Sequence, residues 1–159
     1  MRAFESKDYK VFELFAKDWA VVTAGTMEHC NQFTVSWGSF GTLWSRPGHA
    51  GHIITIYGYP TRYTTDFLKN NDYFTVGFFA PEYKKALAYI GSHSGREVDK
   101  IAQTGLTLIA MGEGVGYKEA KLTFVCKKLY QQQLQKEGMA QEIKDYYVAN
   151  PNIYHLDEN

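Results

Sequence analysis

The run Asn31-Gln32-Phe33-Thr34-Val35-Ser36-Trp37-Gly38-Ser39-Phe40-Gly41-Thr42-Leu43-Trp44 opens on a period of two. Phe33, Val35 and Trp37 face one way and Thr34 and Ser36 the other, the pattern of a half-buried strand. Gly38 and Gly41 then mark bulges or a close approach of the backbone to a neighbour. On this reading Trp37 and Trp44 anchor a core, and the small hydroxyl face stays open.

The same periodicities extend outward. Trp19 to Ala24 reads as a buried strand ending at Gly25, His52 to Tyr59 as a β-branched strand, and Tyr73 to Phe79 as an aromatic one. Leu106 to Ala110 and Lys121 to Lys128 add two more, the last with Leu122, Phe124 and Cys126 on one side. Gly112-Glu113-Gly114-Val115-Gly116 lacks the spacing of a dinucleotide fingerprint and no helical stripe follows it, so it reads as a hairpin turn. Helical spacing occurs near Val11, Leu14 and Phe15, from Pro81 to Ile90 with Gly91 closing, and from Gly138 to Tyr147. Strands with inserted helices, without regular alternation, predict a mainly β, α+β fold. A small closed or partly open barrel is the economical arrangement, because closure removes exposed strand edges.

The bulk composition narrows the class. The 159 residues form a single expected domain, 1–159, and 45% hydrophobic content with 16% aromatics predicts a packed core. Seventeen basic and seventeen acidic residues leave no net field to attract nucleic acid or an anionic membrane. Two cysteines are too few for a disulfide scaffold, and the charged start Met1 to Asp8 has no signal-peptide run. No stretch is apolar enough to cross a bilayer, and the chain is expected to be cytoplasmic.

Two segments point to an anion. In Ser92-His93-Ser94-Gly95-Arg96-Glu97-Val98-Asp99-Lys100, Ser94 and Glu97 have capping-box spacing. Val98, Ile101 and Ala102 follow as an apolar stripe, with Gly105 as the stop. A helix starting there places N–H groups of Gly95 to Glu97 beside the cations Arg96 and Lys100. Such cations oppose the helix dipole, and a phosphate relieves the conflict. In Tyr59-Pro60-Thr61-Arg62-Tyr63-Thr64-Thr65-Asp66-Phe67-Leu68, Arg62 precedes a helix capped by Thr64 or Thr65. Together the two segments predict one phosphate-bearing ligand, while the strip at Thr34 and Ser36 suits the polar edge of a flat heterocycle.

Other reactive residues carry less. His29, Cys30, His49, His52 and His93 fit no zinc spacing, so no metal site is expected. Cys126 reads as core, and Cys30, next to His29 in an expected turn, has no triad partner in view. Lys127 and Lys128 read as a solvated strand end. The pair Tyr146 and Tyr147 fits either a ligand pocket or a cover over a neighbouring subunit.

Several blocks, in order across most of residues 10 to 130, resemble the flavoredoxin-like branch of the flavin reductase family. They are Lys17-Asp18-Trp19 with Thr23-Ala24-Gly25, Phe33 through Trp44, Pro60-Thr61-Arg62-Tyr63-Thr64, and Tyr83 with Lys85-Ala86-Leu87. Gly91 through Lys100, Gly105-Leu106-Thr107 and Phe124 through Tyr130 complete the set. The resemblance implies an FMN-binding split β-barrel, with FMN at a homodimer interface. It places Thr34, Val35, Ser36 and Trp37 along the isoalloxazine, and Arg62, Tyr63, Thr64, Ser94, Gly95, Arg96 and Lys100 around the phosphate. The chemistry would be the flavin's own, at its N5, so no catalytic side chain is assigned. A reduced nicotinamide, NAD(P)H, or another donor would supply electrons to a small acceptor or a partner protein.

The chain also departs from that pattern. Tyr59 stands where an Arg usually precedes the proline, and Pro47 to His52 is longer than its counterpart. The end from Asn150 to Asn159 lacks the usual final strand, so a barrel strand is expected to be missing or replaced. These departures favour the alternative of a non-catalytic split-barrel protein that binds flavin or another phosphorylated or tetrapyrrole ligand. The two phosphate blocks favour the oxidoreductase.

Overall fold

The structure is a computed structural model and describes residues 7–151. Val11–Glu13 (α1) runs into a π-helical turn at Leu14–Asp18. Strands follow at Ala20–Gly25 (β1), Cys30–Val35 (β2), Gly38–Thr42 (β3), His52–Ile56 (β4) and Tyr73–Phe78 (β5). Leu108–Met111 (β6), Gly114–Tyr117 (β7) and Leu122–Lys127 (β8) complete the strands. Helices Tyr63–Asn70 (α2), Lys84–Ser92 (α3), Lys100–Thr104 (α4) and Gln141–Ala149 (α5) lie between or after them.

The main sheet has the order β2-β1-β5-β8, all antiparallel, with separate β3–β4 and β6–β7 hairpins. Strand β1 is buried on both faces, which explains a run that is apolar but for Thr23. Its Ala20, Val22 and Ala24 face a core of Phe33, Val35, Phe74, Val76 and Phe78, closed over by Phe40, Ile54 and Ile56 of the β3–β4 hairpin. There Phe40 meets Phe15, Phe78 and Phe124 edge-on at 5.3–6.3 Å, geometry that aromatic quadrupoles favour. The opposite face, at Val21, packs under Phe79, Leu87, Ile90, Leu106 and Tyr117. These sheets and inserted helices are the expected mainly β, α+β arrangement.

The β6–β7 hairpin turns at Gly112 and Glu113, with Gly112 at φ 59, so the hairpin is as expected but its turn is shorter: Gly114 to Gly116, read as part of the turn, belong to the buried strand β7. Two buried hydroxyls fix it to the main sheet. Thr75 Oγ1 donates to the Val115 carbonyl at 2.5 Å, and Thr23 Oγ1 lies 2.8 Å from Tyr117 Oη.

Several sequence expectations need correction. Trp37 and Trp44 do not anchor the core: strand β2 ends at Val35, and both rings are close to half exposed. The helix expected to close at Gly91 begins with a 3₁₀ turn at Pro81–Tyr83 and continues to Ser92. Lys128 is not a solvated strand end, because its ammonium donates to the carbonyls of Leu68 and Lys69 at the C-terminus of α2, where a cation is favoured. Cys30 is the first residue of β2 and not a turn residue. The expectations for Met1–Ser6 and for the segment from Asn152 onward concern residues outside the described ones. Among the described residues, no helix is long and apolar enough to cross a membrane.

The Thr23–Tyr117 bond gives a direct test of how the hairpin is held. Tyr117→Phe leaves the Thr23 hydroxyl without its partner, and the expected loss is about 1–3 kcal/mol in urea unfolding.

Candidate functional site

Four pieces of chain meet at the start of β2: Asn31 and Phe33 on the strand, Tyr59 to Thr64 at the start of α2, His93 to Gly95 after α3, and Lys100 at the start of α4. They line a cavity of about 320 Å³. Each is placed by local chemistry. Arg62 sits in extended backbone at the N-cap of α2, with no side-chain cap. The expected threonine cap is therefore replaced by burial of Thr64 inside the first turn, where its Oγ1 accepts from Asn31 Nδ2 at 2.9 Å. Accepting that bond leaves the Thr64 proton for another acceptor. Thr65 Oγ1 instead donates to the Tyr59 carbonyl at 3.0 Å.

The Ser94 segment folds differently from its capping-box reading. Residues 95–97 form a turn, in which Ser94 Oγ accepts from the Arg96 N–H at 3.2 Å. The Ser94 carbonyl accepts from Glu97 and Val98. The helix begins later, at Lys100, because the Asp99 carboxylate accepts from the N–H groups of Ile101 and Ala102, both at 3.0 Å. Asp at an N-cap satisfies two orphan donors and the dipole together, which Ser94 followed by Gly95 does not. Gly95 is required by crowding: a Cβ there would collide with Asn31 Oδ1.

Lys100 is the strongest electrostatic feature. Its residue is only 4% exposed, and its ammonium donates to the carbonyls of Gln32 at 2.5 Å and Ile90 at 3.3 Å. Burial, and then the nearby Arg62 cation, lower its pKa from the ordinary 10.5 to about 8. Arg62 Nη1 donates to the Gly91 carbonyl at 2.9 Å while lining the cavity. Two cations thus face a polar cavity whose other walls are Thr64, Ser94 and aromatic rings.

The structure brings together Arg62, Tyr63, Thr64, Ser94, Gly95 and Lys100 among the sequence-derived residues. Arg96 stands outside the cavity lining, paired with Asp66 at 2.8 Å and lying 4.4 Å from the Tyr63 ring centre. Thr34 Oγ1 donates to the Leu87 carbonyl at 2.6 Å, and Val35 is in the core. Ser36 and Trp37 line a second, more apolar cavity of about 430 Å³ with Phe12, Phe15, Tyr57 and Tyr147. Trp37 of the second cavity and Tyr59 of the first lie with ring centres 6.4 Å apart.

Sequence reasoning missed Asn31, Phe33, Tyr59, Thr61 and His93 as lining residues. For Asn31 a signal existed, a polar amide two positions before the buried Phe33. Cys30 is no activated thiol, since burial and the Asp99 charge push its pKa up, and burial pushes Cys126 up to about 12.

No family profile and no curated protein matches the sequence. Solved structures do match. Flavoredoxin from Methanosarcina acetivorans superposes with a TM-score of 0.64 at 18% identity over 74% of this chain and 60% of that one. The FMN-binding domain of a flavin reductases-like enzyme from Shewanella baltica gives 0.62 at 16% identity, over 77% and 63%. A Shewanella frigidimarina protein named as a flavin reductase with a split barrel domain gives 0.60 at 14% identity, over 82% and 67%. The fold is the flavin reductase-like split barrel. This chain spans about three fifths of the flavoredoxin's length. In this split barrel the polar cavity lies at the start of β2, between the N-terminus of α2 and the turn before α4.

The Lys100 environment has a consequence for stability. Between pH 8 and 10.5 the unfolded chain holds the Lys100 proton and the folded chain has lost it, so this residue's contribution to stability rises with pH across that window. Lys100→Met removes the term. The urea midpoint of the wild type minus that of the variant should therefore increase from pH 8 to pH 10.5, whereas a flat difference would mean that Lys100 titrates normally.

Proposed function

We propose that this chain is an FMN-binding flavoprotein oxidoreductase of the flavin reductase type. The observation that carries the reading is the convergence of Arg62 and the buried Lys100 on one cavity with the Thr64 and Ser94 hydroxyls. Two cations and two hydroxyls in one recess suit a phosphate monoester, which takes charge-assisted hydrogen bonds from such donors. The adjoining apolar cavity at Ser36 and Trp37 suits a flat ring system attached to it. The relatives named for FMN binding share the fold that builds this recess.

Bound FMN would supply the redox chemistry, taking electrons from a reduced nicotinamide or another donor and passing them to a small acceptor or partner protein. The chain's own residues hold and orient it. Arg62 and Lys100 would neutralise the phosphate and Thr64 would donate to it, with the Tyr59 and Trp37 rings, 6.4 Å apart, between the phosphate and the ring system. Homodimerisation belongs to the same proposal, because Phe12, Trp37 and Tyr57 around the ring cavity are exposed apolar groups that a second copy would cover.

A binder without turnover is the second reading, favoured by Thr34, whose hydroxyl is engaged by Leu87 and does not face a ligand. Anaerobic addition of NADH tests the nicotinamide-linked version: bleaching of the yellow colour supports the oxidoreductase over the binder, and colour that persists with NADH counts against a nicotinamide donor.

Titration of cofactor-stripped protein with FMN and riboflavin, followed by flavin fluorescence, tests the phosphate assignment. FMN should bind more tightly than riboflavin. Arg62→Ala should weaken FMN by about 1.5–3 kcal/mol, the worth of a charge-assisted partner, and leave riboflavin unchanged. Equal binding of both flavins by the wild type would remove the phosphate site. Gly95→Ala should weaken FMN as well, because its methyl group displaces Asn31 and with it the Thr64 hydroxyl.

A further inference from the structure

Arg96 is a cation at the rim of the polar cavity that does not reach into it. It adjoins Gly95, a lining residue, and its guanidinium lies 4.4 Å from the ring centre of Tyr63, another lining residue. What holds it is Asp66, on the first turns of α2, through a 2.8 Å bond from Arg96 Nη2 to Asp66 Oδ2. Both side chains are about half exposed, 51% and 48%. Such a pair is weak and rearranges readily.

We propose that Asp66 is a built-in competitor for the ligand's phosphate: it holds Arg96 against Tyr63 until a phosphate monoester displaces the carboxylate and takes the guanidinium. This rests on the FMN reading and adds to it a residue that sets affinity without touching the ligand. The chemistry favours the exchange. A phosphate monoester carries between one and a half and two negative charges near pH 7, against one on Asp66. Both anions accept the same planar fork of donors from arginine. Sliding along the Tyr63 face keeps the guanidinium stacked throughout, so the cation never stands unpartnered. The uncharged riboflavin offers Arg96 no reason to leave Asp66, so the pair lowers the affinity for FMN and leaves that for riboflavin untouched.

The test compares Asp66→Asn, Arg96→Ala and the double variant by FMN and riboflavin titration, with Asp66→Ser as a second way to remove the carboxylate. Asp66→Asn and Asp66→Ser should each tighten FMN about two- to fivefold, the range that an exposed ion pair supports. Riboflavin should not change, and the gain should vanish in the Arg96→Ala background. Unchanged or weaker FMN binding in both Asp66 variants overturns the proposal. An equal gain with and without Arg96 also overturns it, because the carboxylate would then act only through its field. A wild type that binds FMN no better than riboflavin brings down the phosphate reading itself, and the competition with it.

Discussion

The ammonium of Lys100, buried against the carbonyls of Gln32 and Ile90, is the contact on which the polar recess depends. It joins the edge strand β2 to the C-terminal half of α3 and to the first residue of α4. Burying a charge is costly unless it is well partnered, and the depressed pKa shows that the two carbonyls and the surroundings do not fully compensate. An anion would complete the compensation. Placing a buried cation in a recess with Arg62 close by is the arrangement on which the proposed phosphate site rests.

The recess is local in a chain with no net charge. Arg62 comes from one segment and Arg96 and Lys100 from another, and the fold concentrates them at one corner of the split barrel. Asp66 moderates the corner by holding Arg96. Below that corner, the geometry rests on neutral groups: Asn31 fixes Thr64, and Gly95 leaves the space that Asn31 needs. The aromatic core around Phe40 and Phe78 gives these parts a rigid base.

Much of this was legible in the sequence. The buried strand at β1, the hairpin at Gly112 and the inward side of β8 follow from period-two patterns and turn chemistry. The cation–hydroxyl blocks at Arg62 to Thr64 and Ser94 to Lys100 were also visible, and the fold brings most of them to one cavity. The errors have particular causes. Ser94 and Asp99 are rival caps, and spacing alone does not say that the carboxylate wins. The partner of Thr34 is a carbonyl 53 residues away, beyond the reach of any local pattern. Trp37 continued an alternation that the chain abandons after Val35, so its ring faces an open cavity and not the core. The pairing of Arg96 with Asp66 spans 30 residues and two helix beginnings, which no spacing rule encodes.

The central claim is that the recess at Arg62 and Lys100 is a phosphate site, and a crystal structure of the chain grown with FMN tests it most directly. The phosphate should lie within hydrogen-bond distance of Arg62, Lys100 and the Thr64 hydroxyl, with the ring system directed toward Trp37. Flavin bound with its phosphate in solvent, away from Arg62 and Lys100, would contradict it.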